Sequence, residues 1–142
     1  MLQLFPFIDY STGLYYIRGN IQSQVIRNPL QRISFLIDLS ATYTSISLTD
    51  ANKLGIEYEK LQDVNLLDST QTTKIIPNCS ISFFPNTKTG ILEYFDQIAV
   101  QDLKPTNIKQ HELISNIPSV LGQDFISRYR VILQYPYMIL ER

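Results

Sequence analysis

A chain of 142 residues, 44% hydrophobic and 18% charged, is too apolar to remain disordered and is the size of one domain, in which folding buries roughly 70% of the unfolded chain's surface. Its net charge of -1, with no block of Lys or Arg, excludes the electrostatic footprint of a nucleic-acid binder or a polybasic membrane anchor. One cysteine and one histidine exclude an intrachain disulfide and the usual Cys- or His-rich metal sites, so neither a metal nor a cofactor is expected.

The opening "MLQLFPFIDY" is apolar but lacks a basic n-region, is broken by Pro6 and meets Asp9 early, so it does not read as a signal peptide. No run approaches the ~20 apolar residues that span a bilayer. A cytoplasmic location and no membrane partner are the expectations. Residues 1–142 read as a single domain with its core over about 15–140, since Pro is scattered, Gly is scarce and no repeat or linker interrupts the pattern.

Strands dominate. "LYYIRGNIQ", "QRISFLID", "IIPNCSISFF", "ILEYFDQIAV" and the closing "YRVILQYPYMIL" are rich in Ile, Val, Phe and Tyr, and several alternate apolar with polar. In "SLTDANKLGI", Ser47 and Asp50 have capping-box spacing. Leu48, Ala51 and Leu54 share a face there, and Gly55 suits a left-handed cap, which predicts a short helix. "VNLLDSTQTTKII" predicts a hairpin whose polar tip runs from Asp68 to Thr72. In "LGQDFISRYR" a second helix is expected, with Asp124 near its start, Arg128 and Arg130 near its end, and Phe125, Ile126 and Tyr129 buried. The i,i+4 spacing of Asp124 and Arg128 predicts a surface salt bridge. Cys79 reads as a small buried hydrophobe and His111 as a loop or helix residue without catalytic duty.

The stretch "FLIDLSATYTSIS" carries the question of function. Phe35, Leu36 and Ile37 predict a strand buried on both faces that holds Asp38 at its end, and burial without a cation would raise that carboxyl's pKa toward the range acid-base chemistry uses. The alternative is that Asp38 only caps a turn, accepting hydrogen bonds from the amides of Ser40 or Ala41.

"FLIDLSATYTSISLTDANKLGI" resembles the active-site segment of the retropepsin-like aspartic proteases: a buried strand ending in Asp-Thr/Ser-Gly-Ala, a Thr- and Ser-containing strand, and a short helix ending in Leu-Gly-Ile. "SVLGQDFISRYRVILQYPYMIL" resembles the family's second hallmark, two apolar residues and Gly leading into an Asp-Phe-Leu helix and a closing strand. Order and spacing agree over Tyr15 to Leu140. The resemblance implies an all-β fold, a small closed barrel of the acid-protease type with a flap hairpin and one or two short helices. It also implies that Asp38 is catalytic within a loop of Leu39, Ser40, Ala41 and Thr42. Leu67, Asp68, Ser69, Thr70, Gln71 and Thr72 become a flap over substrate, and Val120, Leu121 and Gly122 a structural support beneath the catalytic strand. Gly122 could equally be required because a backbone passes close to it. The partners implied are a second copy of the chain, forming a homodimer, and a polypeptide substrate or peptide ligand.

The sequence departs from the family where the chemistry is densest. Asp38-Leu39-Ser40 stands in place of Asp-Thr/Ser-Gly, and Ala41 and Thr42 fix the alignment. Leu39 has no hydroxyl to bond across a dimer axis, and an amide left unmatched there costs on the order of 1 to 3 kcal/mol. Ser40 is expected to strain a positive-φ position, to narrow the cleft, or to supply a hydrogen bond from a new direction. Two functions are therefore implied: an aspartic endopeptidase built from two Asp38 carboxyls, or a catalytically inactive module for dimerisation or peptide binding.

Overall fold

The structure, a computed structural model, describes residues 1–66, 72–84, 90–101 and 117–142. Of the expected flap residues, Leu67, Asp68, Ser69, Thr70 and Gln71 lie outside the described residues, as does His111.

Six strands close a barrel around the apolar core. They are β3 (Leu14–Gln22), β4 (Arg32–Ile37), β5 (Ser45–Ile46), β7 (Thr72–Phe83), β8 (Ile91–Val100) and β9 (Ser119–Leu121). The order β3-β4-β9-β5-β8-β7 returns to its start because β3 also pairs with β7, from Gly19↔Phe83 to Gln22↔Ser80. The period-2 pattern drives this closure. Tyr15, Ile17 and Ile21 of β3, Ile33, Phe35 and Ile37 of β4, and Ile81 and Phe83 of β7 all turn into the barrel and are buried. Leu36, expected to be buried on the other face, is only half-buried, so β4 alternates like its neighbours.

Two further strands flank the ring. β2 (Phe7–Asp9) pairs with the start of β3, and β6 (Gln62–Asn65) runs antiparallel to β7 from Gln62↔Ile75 to Asn65↔Thr72. The predicted hairpin therefore has paired arms. A second, three-stranded sheet joins β1 (Gln3–Leu4), β11 (Tyr137–Glu141) and β10 (Arg130–Gln134). Leu4, upstream of the expected core span, is buried in the core.

The closing segment, read as one strand, is the hairpin β10–β11. Pro136 has no amide hydrogen to continue a ladder, and the chain reverses at Tyr135-Pro136 so that Gln134 pairs with Tyr137. Arg130, expected at a helix end, opens β10 instead.

Both helices are short. In α1 (Leu48–Lys53) the Ser47 side chain accepts from the Asp50 amide, and Gly55 follows at φ 69°, as the sequence predicts. The reciprocal half of the capping box passes through another strand. The Ser47 amide donates to Ser119 Oγ (2.9 Å), and Ser119 Oγ donates to Asp50 Oδ2 (2.6 Å), so β9 and α1 are fastened together. The other helix, α2 (Gln123–Ile126), is one turn long and buries Phe125 and Ile126, with Tyr129 beyond it also buried. Cys79 is buried, and desolvation pushes its thiol up to about 12. Among the described residues no helix is long and apolar enough to cross a membrane.

Candidate active site

β4 delivers Asp38. Its strand runs parallel to β9, with Phe35↔Ser119, Leu36↔Val120 and Ile37↔Leu121 in register, and the Asp38 amide donates to the Leu121 carbonyl (3.2 Å) as the chain leaves the sheet. The chain then turns. Ser40 N (2.9 Å) and Ser40 Oγ (2.6 Å) both donate to Asp38 Oδ1, and the Ala41 amide donates to the Asp38 carbonyl (3.2 Å).

These bonds set the electrostatics of the carboxyl. The Ser40 hydroxyl, and after it the Ser40 amide, holds Asp38 below the ordinary aspartate value of 3.8, with burial opposing weakly. The burial-driven rise expected from the apolar strand is overturned, because Asp38 is half-exposed where it leaves the barrel. A depressed folded pKa means that the turn's contribution is present above 3.8 and fades as pH falls through the lower folded value.

An internal comparison shows how little this turn says by itself. In Asp9-Tyr10-Ser11, Ser11 N (2.9 Å) and Ser11 Oγ (2.6 Å) donate to Asp9 Oδ1, the Thr12 amide donates to the Asp9 carbonyl (3.2 Å), and the Ser11 hydroxyl and amide lower that carboxyl's pKa too. Asp-x-Ser makes the same turn at both places. The surroundings distinguish Asp38: with Ala41, Thr42, Tyr43, Ser45 and Val120 it lines an open groove of about 320 Å³. Among the described residues Asp38 is the only carboxylate on that lining.

The Ser40 substitution does not strain the backbone. Among the described residues Asn78 is the non-glycine with positive φ, so the expected positive-φ position at Ser40 is absent. Leu39 projects 53% exposed, and its carbonyl accepts from Gln123 Nε2 (2.7 Å). Thr72, expected at the hairpin tip, is instead the first residue of β7, paired with Asn65, and is not on the groove's lining.

The bonds beneath the loop join Gly122 and Asp124, both singled out in the sequence, to Thr44 and Gln123, which were not. Thr44 is fully buried: its amide (3.0 Å to Oδ2) and its Oγ1 (2.7 Å to Oδ1) donate to the Asp124 carboxylate, and its Oγ1 accepts from the Gly122 amide (3.2 Å). The Gln123 amide donates to the Ala41 carbonyl (2.8 Å) and the Asp124 amide to the Thr42 carbonyl (3.2 Å). The expected Asp124–Arg128 salt bridge does not form. Asp124 is occupied by Thr44, and Arg128 donates to the Asp124 backbone carbonyl (2.9 Å) and to Glu93 Oε2 (2.7 Å). The alternation of Thr and Ser in "TYTSIS" was the available signal for Thr44.

Gly122 is required by close approach. A Cβ there would fall 2.6 Å from the Tyr43 carbonyl carbon, 2.7 Å from its oxygen and 2.9 Å from the Ala41 oxygen, all backbone atoms that cannot swing aside. Gly122→Ala is therefore expected to destabilise the protein by about 1–3 kcal/mol, read by urea titration. It should also shift the amide resonances of 41–44 more than those of β10. A variant as stable as the parent with unmoved resonances would refute the crowding argument.

Among solved structures, the crystal structure of a retropepsin-like aspartic protease from Rickettsia conorii matches this one with a TM-score of 0.60, at 17% sequence identity, over 98% of this chain and 89% of that chain. The fold is retropepsin-like. No protein-family model matches the sequence, and no curated protein matches it either. At such identity the likeness is one of fold, and the retropepsin-like barrel leaves the chemistry to be argued from its own residues. Among those described, no group of three or more His, Cys, Asp and Glu side chains could hold a metal ion.

Proposed function

We propose that the protein is an aspartic endopeptidase that acts as a homodimer, each copy supplying one Asp38. The observation that carries the reading is a carboxylate held at the end of a barrel strand and opening into a groove on whose lining, among the described residues, no second acid stands. One such carboxylate is half of what general acid-base hydrolysis of an amide requires. Across a twofold axis the two carboxyls share a proton, because neighbouring like charges cannot both be retained. The ionised member, favoured by the Ser40 hydroxyl and amide, takes a proton from water while the protonated member donates to the scissile carbonyl. An extended polypeptide is the substrate, and the β6–β7 hairpin is read as the flap that covers it.

Cleavage of an unfolded polypeptide should be favoured by acid and should fall by about a thousandfold in Asp38→Asn, with far-UV dichroism and sedimentation unchanged. Cleavage surviving the substitution would sink the assignment.

A second reading is a retropepsin-like module that binds peptides by strand addition and leaves them uncut. The lowered pKa of Asp38 and the identical turn at Asp9 favour it, since both describe a carboxylate satisfied by its own loop.

A further inference from the structure

We propose that a notch in the outer wall of the barrel binds a polypeptide segment in which a carboxylate adjoins a bulky apolar side chain. The notch arises from topology. One edge of β3 pairs with β2 over Leu14–Tyr16 and with β7 from Gly19 onward, so Ile17 and Arg18 lie between the two pairings. A cavity of about 210 Å³ opens there. Its lining includes the buried side chains of Leu4, Ile17 and Phe83. Phe5 and Phe84 also line it while remaining 53% and 58% exposed. The Phe84 ring lies beside Gly90, where a Cβ would come within 3.1 Å of it. Apolar surface of this kind, gathered in a concavity, is what a bulky side chain covers.

Charge supplies the second half of the argument. The sequence has six arginines, and Arg27, Arg128, Arg130 and Arg142 each pair with a glutamate. Arg18 and Arg32, which both line the notch, have no ion pair among the described residues. Arg18 stands opposite Ser34 in the β3–β4 ladder, so Arg32 is its diagonal neighbour on the same face, at about 7–8 Å. That spacing is the one between their positions in the ladder, and from it both stems can reach one anion. The Arg18 guanidinium is stacked 4.7 Å from the Phe7 ring centroid, and Phe7 in turn stacks on Tyr16 at 6.1 Å. Stacking occupies the face of the fork and leaves its N–H edge for a carboxylate. Two guanidiniums beside aromatic walls suit one carboxylate with an apolar neighbour, whereas a nucleic-acid backbone requires an extended basic track.

Arg32 and Asp38 lie at opposite ends of β4, about 20 Å apart, so this site is independent of the proposed catalytic groove and stands or falls separately. The test is a titration of the 15N-labelled protein with acetyl-Phe-Glu-Leu-amide and with its neutral counterpart acetyl-Phe-Gln-Leu-amide. Saturable shifts of the Arg18 and Arg32 Nε–Hε signals and the Ile17 and Phe84 amides are expected with the Glu peptide. Affinity should fall at least about tenfold for the Gln peptide and for the Arg18→Gln/Arg32→Gln variant, and should weaken in about 0.5 M salt. Both arginines are exposed, so an otherwise unchanged spectrum will show that the variant folds. The absence of saturable shifts, equal affinity for both peptides, or undiminished binding by the variant would overturn the proposal. So would shifts at these residues that follow protein concentration without peptide, or that only anionic lipid vesicles produce, because the occupant would then be a second copy or a membrane.

Discussion

Replacing Glu93 with alanine is expected to lower folding stability by about 3–5 kcal/mol. Glu93 lies on β8 and is 3% exposed. Its Oε1 accepts from Tyr129 Oη (2.5 Å) and Arg142 Nη1 (2.8 Å), and its Oε2 accepts from Arg128 Nη1 (2.7 Å). One carboxylate thus joins the barrel to the segment after α2 and to the end of the terminal sheet. Burial, and then Glu93 itself, drives the Tyr129 hydroxyl well above its ordinary pKa, so that phenol remains a neutral donor throughout the working range. Without Glu93 the buried Tyr129 hydroxyl and two guanidiniums lose their acceptor together. Arg128 and Arg142 are 30% and 43% exposed and recover part of their hydration, which places the loss toward the lower end of the range. Glu93→Gln keeps the shape and two acceptor lone pairs and should lose about half as much. Urea titration at neutral pH reads both variants. A loss below about 1 kcal/mol for alanine would mean that water replaces the carboxylate at no cost.

That cluster also marks where sequence reading stops. The i,i+4 rule, which paired Asp124 with Arg128, assumes that a helix continues through both residues, but α2 ends at Ile126 and leaves Arg128 free to reach β8. Most strands were legible because alternation is local: "ILEYFDQIAV" is β8 from end to end. Barrel closure was not legible, because it depends on β3 dividing one edge between β2 and β7, a choice made by packing distant residues. The first half of the α1 cap could be read from Ser47 and Asp50. Its completion by Ser119, 72 residues from Ser47, could not. At Asp38 the local signal was ambiguous in a way Asp9 now explains, since the chain writes the same Asp-x-Ser turn twice. Only the parallel pairing of β4 with β9 and the open groove separate one from the other, and both are long-range features.

Under the peptidase proposal, Leu39→Thr and Ser40→Gly together are expected to raise kcat/KM for an unfolded polypeptide by about a hundredfold. The two changes act through different terms, and their separate behaviour is informative. Leu39, exposed in the single chain, meets its mate if two copies pair, and there a hydroxyl can satisfy an amide that leucine leaves unmatched. The 1 to 3 kcal/mol cost of such an orphan corresponds to about 5- to 150-fold, so Leu39→Thr should carry most of the gain, through tighter dimerisation and a stiffer pair. Ser40→Gly relieves no backbone strain, because φ is not positive at that position. What it removes is the Oγ bond to Asp38, the largest cause of the carboxyl's lowered pKa. Asp38 then moves back up toward 3.8, and the acid limb of the rate profile should move to higher pH with it. Sedimentation and kcat/KM against pH distinguish the two effects. A double variant that dimerises yet cuts no faster would show that Leu39 and Ser40 do not limit the site, and the inactive binding module would become the better account of the barrel.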